Sequence, residues 1–299
     1  MKIAKKIGTR KMILLLLLVA AVITAGLFLL RNIDRNDAQL PVNAEGALVV
    51  TNLDVGKADA AIVCYKNSTG IVDTGTEDAY ATIDAWLRDH GITSIDYMIL
   101  SHYDKDHIGS AVQILENYPV KVVYHPDYIS RKKYYRPLMD ELSVDKEGRS
   151  VVAVNREQSF QIEDLKIDLI PPEDPEVLLT DQDNMDNNMS LLCCLNLGTK
   201  KLLFTGDCEA ERLGQLANSS EDYSADWIKL PYHGGFEENE TEFLDKVSPK
   251  YGVISNGVER KTQKALLKYL KKKKIEYYMT IKGNVTTVCD GLSISMYQK

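Results

Sequence analysis

The sequence predicts an α/β (α+β) domain over residues 48–299, in which two β-rich halves form sheets that pack face to face with helices outside. Two observations support this fold class. Short β-rich segments alternate with amphipathic helices along the whole region. The region also has 252 residues, which suits one domain with a large core.

The predicted elements follow the hydrophobic periodicity and the turn residues. One amphipathic helix covers residues 79–90, with Ile83, Trp86 and Leu87 on one face and Gly91 as its stop. The other predicted helices cover residues 111–117, 209–217, 240–247 and 262–273. The predicted strands cover residues 47–53, 60–65, 70–72, 95–100, 120–124, 159–169, 191–197, 201–205, 250–255, 276–281 and 292–297. Residues 225–230 lead into a loop at His233.

The N-terminal region predicts a single-pass membrane anchor. Residues 12–30 are apolar apart from Thr24, and a helix of this length spans ~28 Å, close to the hydrocarbon thickness of a bilayer. Five basic residues within 1–11 predict a cytoplasmic tail, which places the domain outside the cell membrane. A cleaved signal peptide is the alternative, but its apolar region usually has about 7–15 residues. We therefore expect an uncleaved anchor, a linker over residues 31–47 and an extracytoplasmic domain.

Charge and cysteine content narrow the function classes. Residues 48–299 carry 29 basic and 40 acidic side chains, a net charge of −11, which repels polyanions and counts against tight nonspecific DNA binding. The five cysteines have no paired spacing, and their odd number argues against a full disulfide framework. No protein partner can be inferred from the sequence.

The segment 101–110 carries the strongest chemical signal in the chain. His102, Asp104, Asp106 and His107 lie within six residues, directly after the apolar run 97–100. Because that run predicts a buried strand, these side chains should lie at the carboxyl edge of a sheet. Imidazole and carboxylate ligands suit zinc first and manganese second, and a catalytic site keeps one coordination position for water. The pattern predicts one or two divalent metal ions.

Two later segments carry further candidate ligands. Asp207 follows a predicted strand and Gly206, which allows the backbone to turn sharply. His233 lies between Pro231 and two glycines. Before the Asp207 strand, either Asp186 or Asn188 could reach the metal.

Together these motifs resemble the metallo-β-lactamase superfamily, in the variant found in the soluble domain of ComEC-type competence proteins. The metal loop carries Asp at its third motif position, as that variant does. The other matching segments, in the same order along the chain, are residues 53–60, 71–75, 187–191, 203–207 and 230–235.

The resemblance implies a four-layer αββα sandwich with its site where the two sheets meet. It places His102 and Asp104 on one metal and Asp106 and His107 on a second, with Asp207 bridging and His233 as a further ligand. Asp106 and Asp207 are the implied catalytic residues. The chain departs from the family by having no His after residues 251–255, where Lys261 lies instead.

Several further residues are predicted around the site. Asp59 and Asp73 either hydrogen-bond the ligand imidazoles or cap turns. The long polar segment 125–150 is rich in tyrosine and basic residues, as phosphate contacts require, although a solvated insertion has the same composition. The candidates for facing a substrate are Lys261, Tyr232, Arg131 and Lys132.

These features predict a membrane-anchored, outward-facing hydrolase that uses metal-activated water. A phosphodiester is the favoured substrate, with DNA included in that class. The alternative is a degenerate metal site that only binds a ligand or partner. Metal stoichiometry would separate the two, because an enzyme of this type needs tightly bound ions.

Overall fold

The computed structural model describes residues 46–146, 148–179 and 184–299. The predicted tail, the anchor over residues 12–30 and most of the linker lie outside the described residues. Within the three described ranges, no helix has the length and apolar character needed to cross a bilayer.

Fifteen strands and nine α-helices make up the described part of the chain. The strands are β1 Leu48–Asn52, β2 Ala60–Tyr65, β3 Ser68–Thr74, β4 Ile95–Ile99, β5 Val120–Pro126, β6 Ser150–Val154, β7 Gln158–Ile162, β8 Leu165–Ile170, β9 Leu192–Leu197, β10 Lys200–Phe204, β11 Trp227–Lys229, β12 Tyr251–Ile254, β13 Glu276–Met279, β14 Val285–Cys289 and β15 Ile294–Gln298. The helices are α1 Tyr80–Asp89, α2 Lys105–Ile108, α3 Ala111–Asn117, α4 Tyr135–Leu142, α5 Pro175–Leu178, α6 Met185–Asn188, α7 Ala210–Asn218, α8 Glu240–Val247 and α9 Lys264–Lys273.

The strands form two mixed sheets. The first has the order β15-β14-β1-β2-β3-β4-β5-β6, and β3 to β6 run parallel to one another. The second has the order β13-β12-β11-β10-β9-β8-β7, and β10 to β13 run parallel. In each sheet the parallel strands end level with their neighbours, since Val72 pairs with Ile99 and Phe204 pairs with Lys229. Polar residues that follow these strands therefore emerge at one edge of each sheet.

The apolar core forms three clusters, as the predicted layering requires. Successive strand residues point to opposite faces of a sheet. In β4, Met98 packs in a cluster with helices α1, α3 and α4, whereas Ile99 packs in the cluster between the sheets. In β11, Trp227 faces the same middle cluster, and Ile228 packs in the third cluster with α7, α8 and α9. Helices therefore cover the outer face of each sheet.

The segment 125–150 differs from the predicted long loop. It contains helix α4, whose Leu138 and Leu142 are buried. The helix has only 8 residues, with Met139 and Tyr135 also packed on the core, and this periodic signal was too short to predict it. His125, the first residue of this polar segment, is buried in β5 with its Nδ1 2.8 Å from the Tyr103 hydroxyl.

A buried carboxyl at the start of helix α8 predicts a pH-dependent stability. Glu240 is fully buried, and burial raises its pKa from an ordinary 4.5 to about 8. Because the folded pKa lies above the unfolded one, its stabilising contribution is complete below pH 4.5 and is lost as the pH rises through 8. Glu240→Gln removes the ionisation, so we expect this variant to be more stable than the natural protein at pH 8.5 by several kcal/mol, at about 1.4 kcal/mol per pKa unit.

Urea unfolding at pH 5 and pH 8.5 checks this expectation. The free energy of unfolding of Glu240→Gln should exceed that of the natural protein clearly only at the higher pH. Glu242→Gln, an exposed carboxyl on the same helix, is the matched control and should show no such gap. An equal response of both variants would contradict the assignment to Glu240.

Candidate metal centre

The candidate site lies at the carboxyl ends of parallel strands from both sheets. Ser101 and His102 come shortly after β4, and Asp73 is the penultimate residue of β3. Asp207 follows β10, and His233 follows β11 in the short 3-10 segment Pro231–Gly234. Ligand sites at the carboxyl edge of parallel strands are a general feature of α/β sheets. This topology brings residues more than 150 positions apart into one cluster.

Backbone geometry adapts two of these loops to the site. Gly206 has a φ of +56°, and a Cβ there would lie 2.6 Å from the Ser190 hydroxyl oxygen, so only glycine fits before Asp207. Tyr232 and His233 also have left-handed φ values, of 48° and 52°. Such conformations cost of order 1–3 kcal/mol each and persist where the surroundings hold them in place, often at functional sites.

Three fully buried imidazoles each have Nδ1 within hydrogen-bonding distance of an oxygen. His107 Nδ1 lies 2.8 Å from Asp73 Oδ2, His233 Nδ1 lies 2.8 Å from the Ser255 carbonyl oxygen, and His102 Nδ1 lies 3.0 Å from Ser101 Oγ. A carbonyl oxygen only accepts, so Nδ1 of His233 donates a proton and its Nε2 keeps a lone pair. The Nε2 atoms of all three have no hydrogen-bond partner among the described residues.

The free imidazole nitrogens face carboxylate oxygens across short gaps. His233 Nε2 lies 3.0 Å from Asp207 Oδ2 and 3.4 Å from Asp106 Oδ2. His107 Nε2 lies 3.3 Å from Asp207 Oδ2. Imidazole nitrogens and carboxylate oxygens held about 3 Å apart are spaced as ligands around one cation would be.

Acidic and histidine side chains form four groups whose ligand atoms lie within 4.8 Å of one another. The groups are His102 with His107 and Asp207; Asp106 with His107 and His233; Asp59 with Asp207 and His233; and Asp59 with Asp73 and His107. Asp104 is in none of these groups within the described ranges. The donors present are imidazole and carboxylate and are buried, so they fit a divalent ion such as zinc or manganese.

Charge around the site favours a cation. Burial lowers the pKa of His107, but the charges of Asp207 and Asp73 outweigh it and raise that pKa well above its ordinary value. Burial raises the pKa of Asp207, but His233 and His107 outweigh it and lower that pKa well below its ordinary value. The carboxylates thus attract positive charge to the point where the Nε2 atoms converge.

Asp73 and Asp59 lie behind the imidazoles, on their Nδ1 side. Asp73 accepts hydrogen bonds from the Ser101 backbone and hydroxyl, both at 2.7 Å, in addition to His107. Asp59 Oδ1 and Oδ2 lie 3.7 Å from Nδ1 of His233 and His107. Asp73 therefore lies where it orients the His107 imidazole, whereas Asp59 pairs with Lys229 and is beyond hydrogen-bonding distance of both rings.

Asp186 and Asn188 lie outside the donor groups. Both amide atoms of Asn188 are used at the start of helix α7, where Oδ1 accepts from the backbone of Glu209 and Arg212 and Nδ2 donates to Glu211 at 2.8 Å. Asp186 Oδ1 accepts from the Ser130 and Tyr128 hydroxyls, at 2.5 and 3.0 Å. Both residues thus fix the loops around the site.

The predicted substrate-facing residues differ in their surroundings. Lys132 Nζ lies 2.6 Å from Asp104 Oδ1. Tyr232 is half-buried beneath the Arg260 guanidinium, whose carbon is 3.9 Å from the ring centroid. Lys261 and Arg131 are exposed. Of these four, Lys132 contacts the metal loop through Asp104, and Tyr232 directly precedes His233 in the chain.

Two lysines at the site were not predicted. Lys229 is buried at the end of β11, pairs with Asp59, donates to the Gly206 carbonyl at 2.8 Å and lies 3.4 Å from Asp207 Oδ1. Lys57 Nζ lies 2.5 Å from Asp106 Oδ2. A lysine in the middle of the apolar run 227–230 was the sequence signal for the first.

Asp73→Asn tests the orientation of His107. The amide replaces a carboxylate that accepts from the His107 ring, so we expect metal affinity to fall about 10–100-fold, the usual effect of losing such a partner. A competition titration against a chelating dye measures this. Asp96→Asn is the control, because Asp96 pairs with Lys121 and the Thr69 backbone instead of the site. Unchanged affinity in a folded Asp73→Asn protein would contradict the role of Asp73.

Comparison with curated proteins identifies relatives of similar sequence. ComE operon protein 3 of Bacillus subtilis (strain 168) is 28% identical over 228 residues, which cover 70% of this chain and 28% of that protein. Recombination protein 2 of Haemophilus influenzae is 29% identical over 214 residues, or 70% of this chain and 24% of that protein. Competence protein ComA of Neisseria gonorrhoeae is 27% identical over 219 residues, or 71% and 28%. The chain spans about a quarter of the length of these relatives.

Solved structures show the same fold at low sequence identity. The metallo-beta-lactamase fold protein YhfI from Bacillus subtilis superposes with a TM-score of 0.55 at 12% identity, over 85% of this chain and all of that one. The metallo hydrolase Igni18 from Ignicoccus hospitalis superposes with a TM-score of 0.51 at 15% identity, over 85% and 99%.

The family assignment comes from the sequence match. The pattern of the metallo-beta-lactamase superfamily matches residues 53–258, which include the metal loop, Asp207 and His233. The buried His/Asp cluster is where a metal-dependent hydrolase of this superfamily would bind its ion. The chain belongs to the metallo-β-lactamase superfamily.

Proposed function

We propose that this chain is a membrane-anchored, outward-facing, metal-dependent hydrolase that cleaves a phosphodiester. In this proposal residues 1–11 form a cytoplasmic tail, residues 12–30 the anchor, residues 31–47 a linker and residues 48–299 the hydrolase domain. The N-terminal charge pattern supports the orientation.

The observation that carries the proposal is the convergence of buried imidazole Nε2 atoms and carboxylate oxygens at the sheet edge. Asp106, His107, Asp207 and His233 would hold the ion, with Asp207 central because it faces both imidazoles. A divalent ion held there lowers the pKa of water and polarises a phosphoryl oxygen.

Charged side chains at the mouth of the site support a phosphodiester substrate. Lys57 and Lys132 have 29% and 39% of their side-chain surface exposed, and each places its ammonium on one carboxylate of the metal loop. Arg260 adds a third cation, which stacks on the ring of Tyr232, the residue before His233. An acidic domain that gathers basic groups at its metal site is suited to an anionic substrate.

Two observations support different sizes of phosphodiester. Two relatives are named for recombination and competence, which supports DNA. The net charge of −11 over residues 48–299 supports a smaller phosphodiester or one in the cell wall.

A second candidate function is binding without hydrolysis. After β12, Lys261 lies where the family resemblance implies a histidine, and Asn256 in the same segment donates its amide to Thr262 at 2.9 Å. A site with fewer ligands could bind an ion or anion without turning over a substrate.

A substrate screen separates the two functions. The full-length chain, purified in mild detergent and loaded with zinc or manganese, is assayed on bis(p-nitrophenyl) phosphate, p-nitrophenyl acetate, a β-lactam, and single- and double-stranded DNA. We expect metal-dependent cleavage of the phosphodiesters above the other classes. Preference for the ester or lactam would overturn the substrate class, and metal-loaded protein inactive on all of them would favour the binding module.

The membrane topology has its own expected result. Because a basic tail precedes the apolar run 12–30, untreated protein should be found in the membrane fraction, and protease added outside intact cells should degrade its domain. Immunoblots of the fractions measure this. Recovery of a shortened, freely soluble protein would show cleavage instead, and full protection in intact cells would reverse the orientation.

A further inference from the structure

Both carboxylates of the metal loop pair with a lysine. Lys57 Nζ lies 2.5 Å from Asp106 Oδ2, and Lys132 Nζ lies 2.6 Å from Asp104 Oδ1. The lysines come from separate segments, one before β2 and one before α4. An ammonium and a metal ion compete for the same carboxylate oxygens, so each lysine affects what its partner can bind.

The two carboxylates nevertheless differ in their relation to the imidazoles. Asp106 Oδ2 remains 3.4 Å from His233 Nε2 and belongs to a group with His107 and His233. With Asp207, which faces both imidazoles, this makes two nitrogen and two oxygen donors. Imidazole nitrogen and carboxylate oxygen are donor types that zinc prefers. Lys57 pairs with this same Asp106 oxygen, so an ion that binds here has to displace the ammonium, but it gains Asp207 and two imidazoles as it does so.

The position around His102 is incomplete. His102 groups with His107 and Asp207, but both of those side chains also serve the first position. The neighbouring Ser190 hydroxyl accepts from the Asp207 backbone at 3.2 Å and is a neutral oxygen, a weak ligand beside a carboxylate. Asp104, the carboxylate nearest in sequence, pairs with Lys132 instead. A second ion therefore lacks an anionic ligand of its own.

The charge of the cluster leads to the same result. Five carboxylates lie in or beside it: Asp59, Asp73, Asp104, Asp106 and Asp207. Three ammonium groups pair with them: Lys57, Lys132 and Lys229. With neutral imidazoles, two negative charges remain, which one divalent ion balances.

We propose that Lys132 is a built-in competitor of the second metal ion, so that the site binds one divalent ion tightly and a second only weakly while Lys132 holds Asp104. The inference rests on the proposed metal-dependent function, but it concerns binding and not turnover. Lys132 acts here as a positioning residue, because it acts through Asp104.

Metal titration of the full-length chain tests this. Protein stripped with a chelator is titrated with zinc, and stepwise dissociation constants are measured by calorimetry and by competition with a chelating dye. For the natural protein we expect one tight site and a second at least tenfold weaker. Lys132→Met should tighten the second constant about tenfold and leave the first unchanged, because Asp104 becomes available.

Two further variants separate charge competition from a general disturbance of the loop. Lys132→Arg keeps a cation for Asp104 and should behave like the natural protein. Lys133→Met removes the exposed neighbouring ammonium, which lies over the Tyr134 ring, and should change neither constant. Circular dichroism verifies that each variant is folded.

Two results would overturn the inference: two equally tight ions in the natural protein, or an unchanged second constant in folded Lys132→Met. Failure of the proposed function is distinguishable from these. If the dissociation constants for zinc are as expected but no phosphodiester is cleaved, the inference about Lys132 stands and the proposed substrate class is wrong. Phosphodiester cleavage by the natural protein, together with an unchanged second dissociation constant in Lys132→Met, would keep the substrate class and overturn the inference about Lys132.

Discussion

Replacing Asp207 by Ala should lower the rate of phosphodiester hydrolysis at least about a hundredfold, equivalent to ~2.7 kcal/mol of transition-state stabilisation. Asp207 Oδ2 is the one oxygen that lies within 3.3 Å of both His107 Nε2 and His233 Nε2 among the described side chains. Removing it takes away the carboxylate that faces both imidazoles and would bind the ion with them. Rate and metal content should be measured on the same preparation, since loss of the ion accounts for loss of the rate.

Asp222→Ala is the control for this variant. Asp222 is an exposed aspartate that pairs with Lys201 at 3.0 Å, and its removal should leave the rate unchanged. Unchanged hydrolysis and unchanged metal content in Asp207→Ala would exclude Asp207 from the mechanism. That result would favour the second candidate function, binding without hydrolysis.

Lys229→Met should cause the largest loss of stability in the metal-free protein, about 3–5 kcal/mol. Burial lowers the pKa of Lys229, but Asp59 and Asp207 outweigh it and raise that pKa to about 12, so the ammonium is charged at any ordinary pH. Its removal leaves two buried carboxylates without their cation. Urea unfolding of metal-free protein measures the loss.

Lys121→Met is the comparison for Lys229→Met. Lys121 also pairs with an aspartate, Asp96, but 65% of its side-chain surface is exposed. Exposed pairs contribute about 0–1 kcal/mol, so this variant should unfold almost as the natural protein does. A loss of similar size in both variants would show that the buried position of Lys229 has no special role.

The part of the site that could be predicted is the part carried by local sequence. His102, Asp106 and His107 lie in one short segment after a strand, so their pattern alone indicated metal ligands. Asp207 and His233 could be predicted because each follows a strand and lies beside glycine. Parallel strands ending level then bring these separate loops together.

The remaining contacts depend on long-range packing. Lys229 meets Asp59 across 170 residues, and Lys57 meets Asp106 across 49, so no local pattern could show either pair. Asp104 was expected beside His102 on one metal, but Lys132 pairs with it from the neighbouring segment. The partner of a charged side chain is set by tertiary structure, which spacing in one sequence does not contain.

Zinc-dependent recovery of activity tests whether the ion bound by the His/Asp cluster is needed for hydrolysis. Full-length protein stripped of metal with a chelator is titrated with zinc while cleavage of bis(p-nitrophenyl) phosphate is followed, alongside His233→Ala. We expect no activity in the stripped protein and recovery that saturates as zinc binds. His233→Ala should recover almost no activity at the same zinc concentrations. Full activity after metal removal, or recovery in His233→Ala equal to that of the natural protein, would contradict this role of the ion.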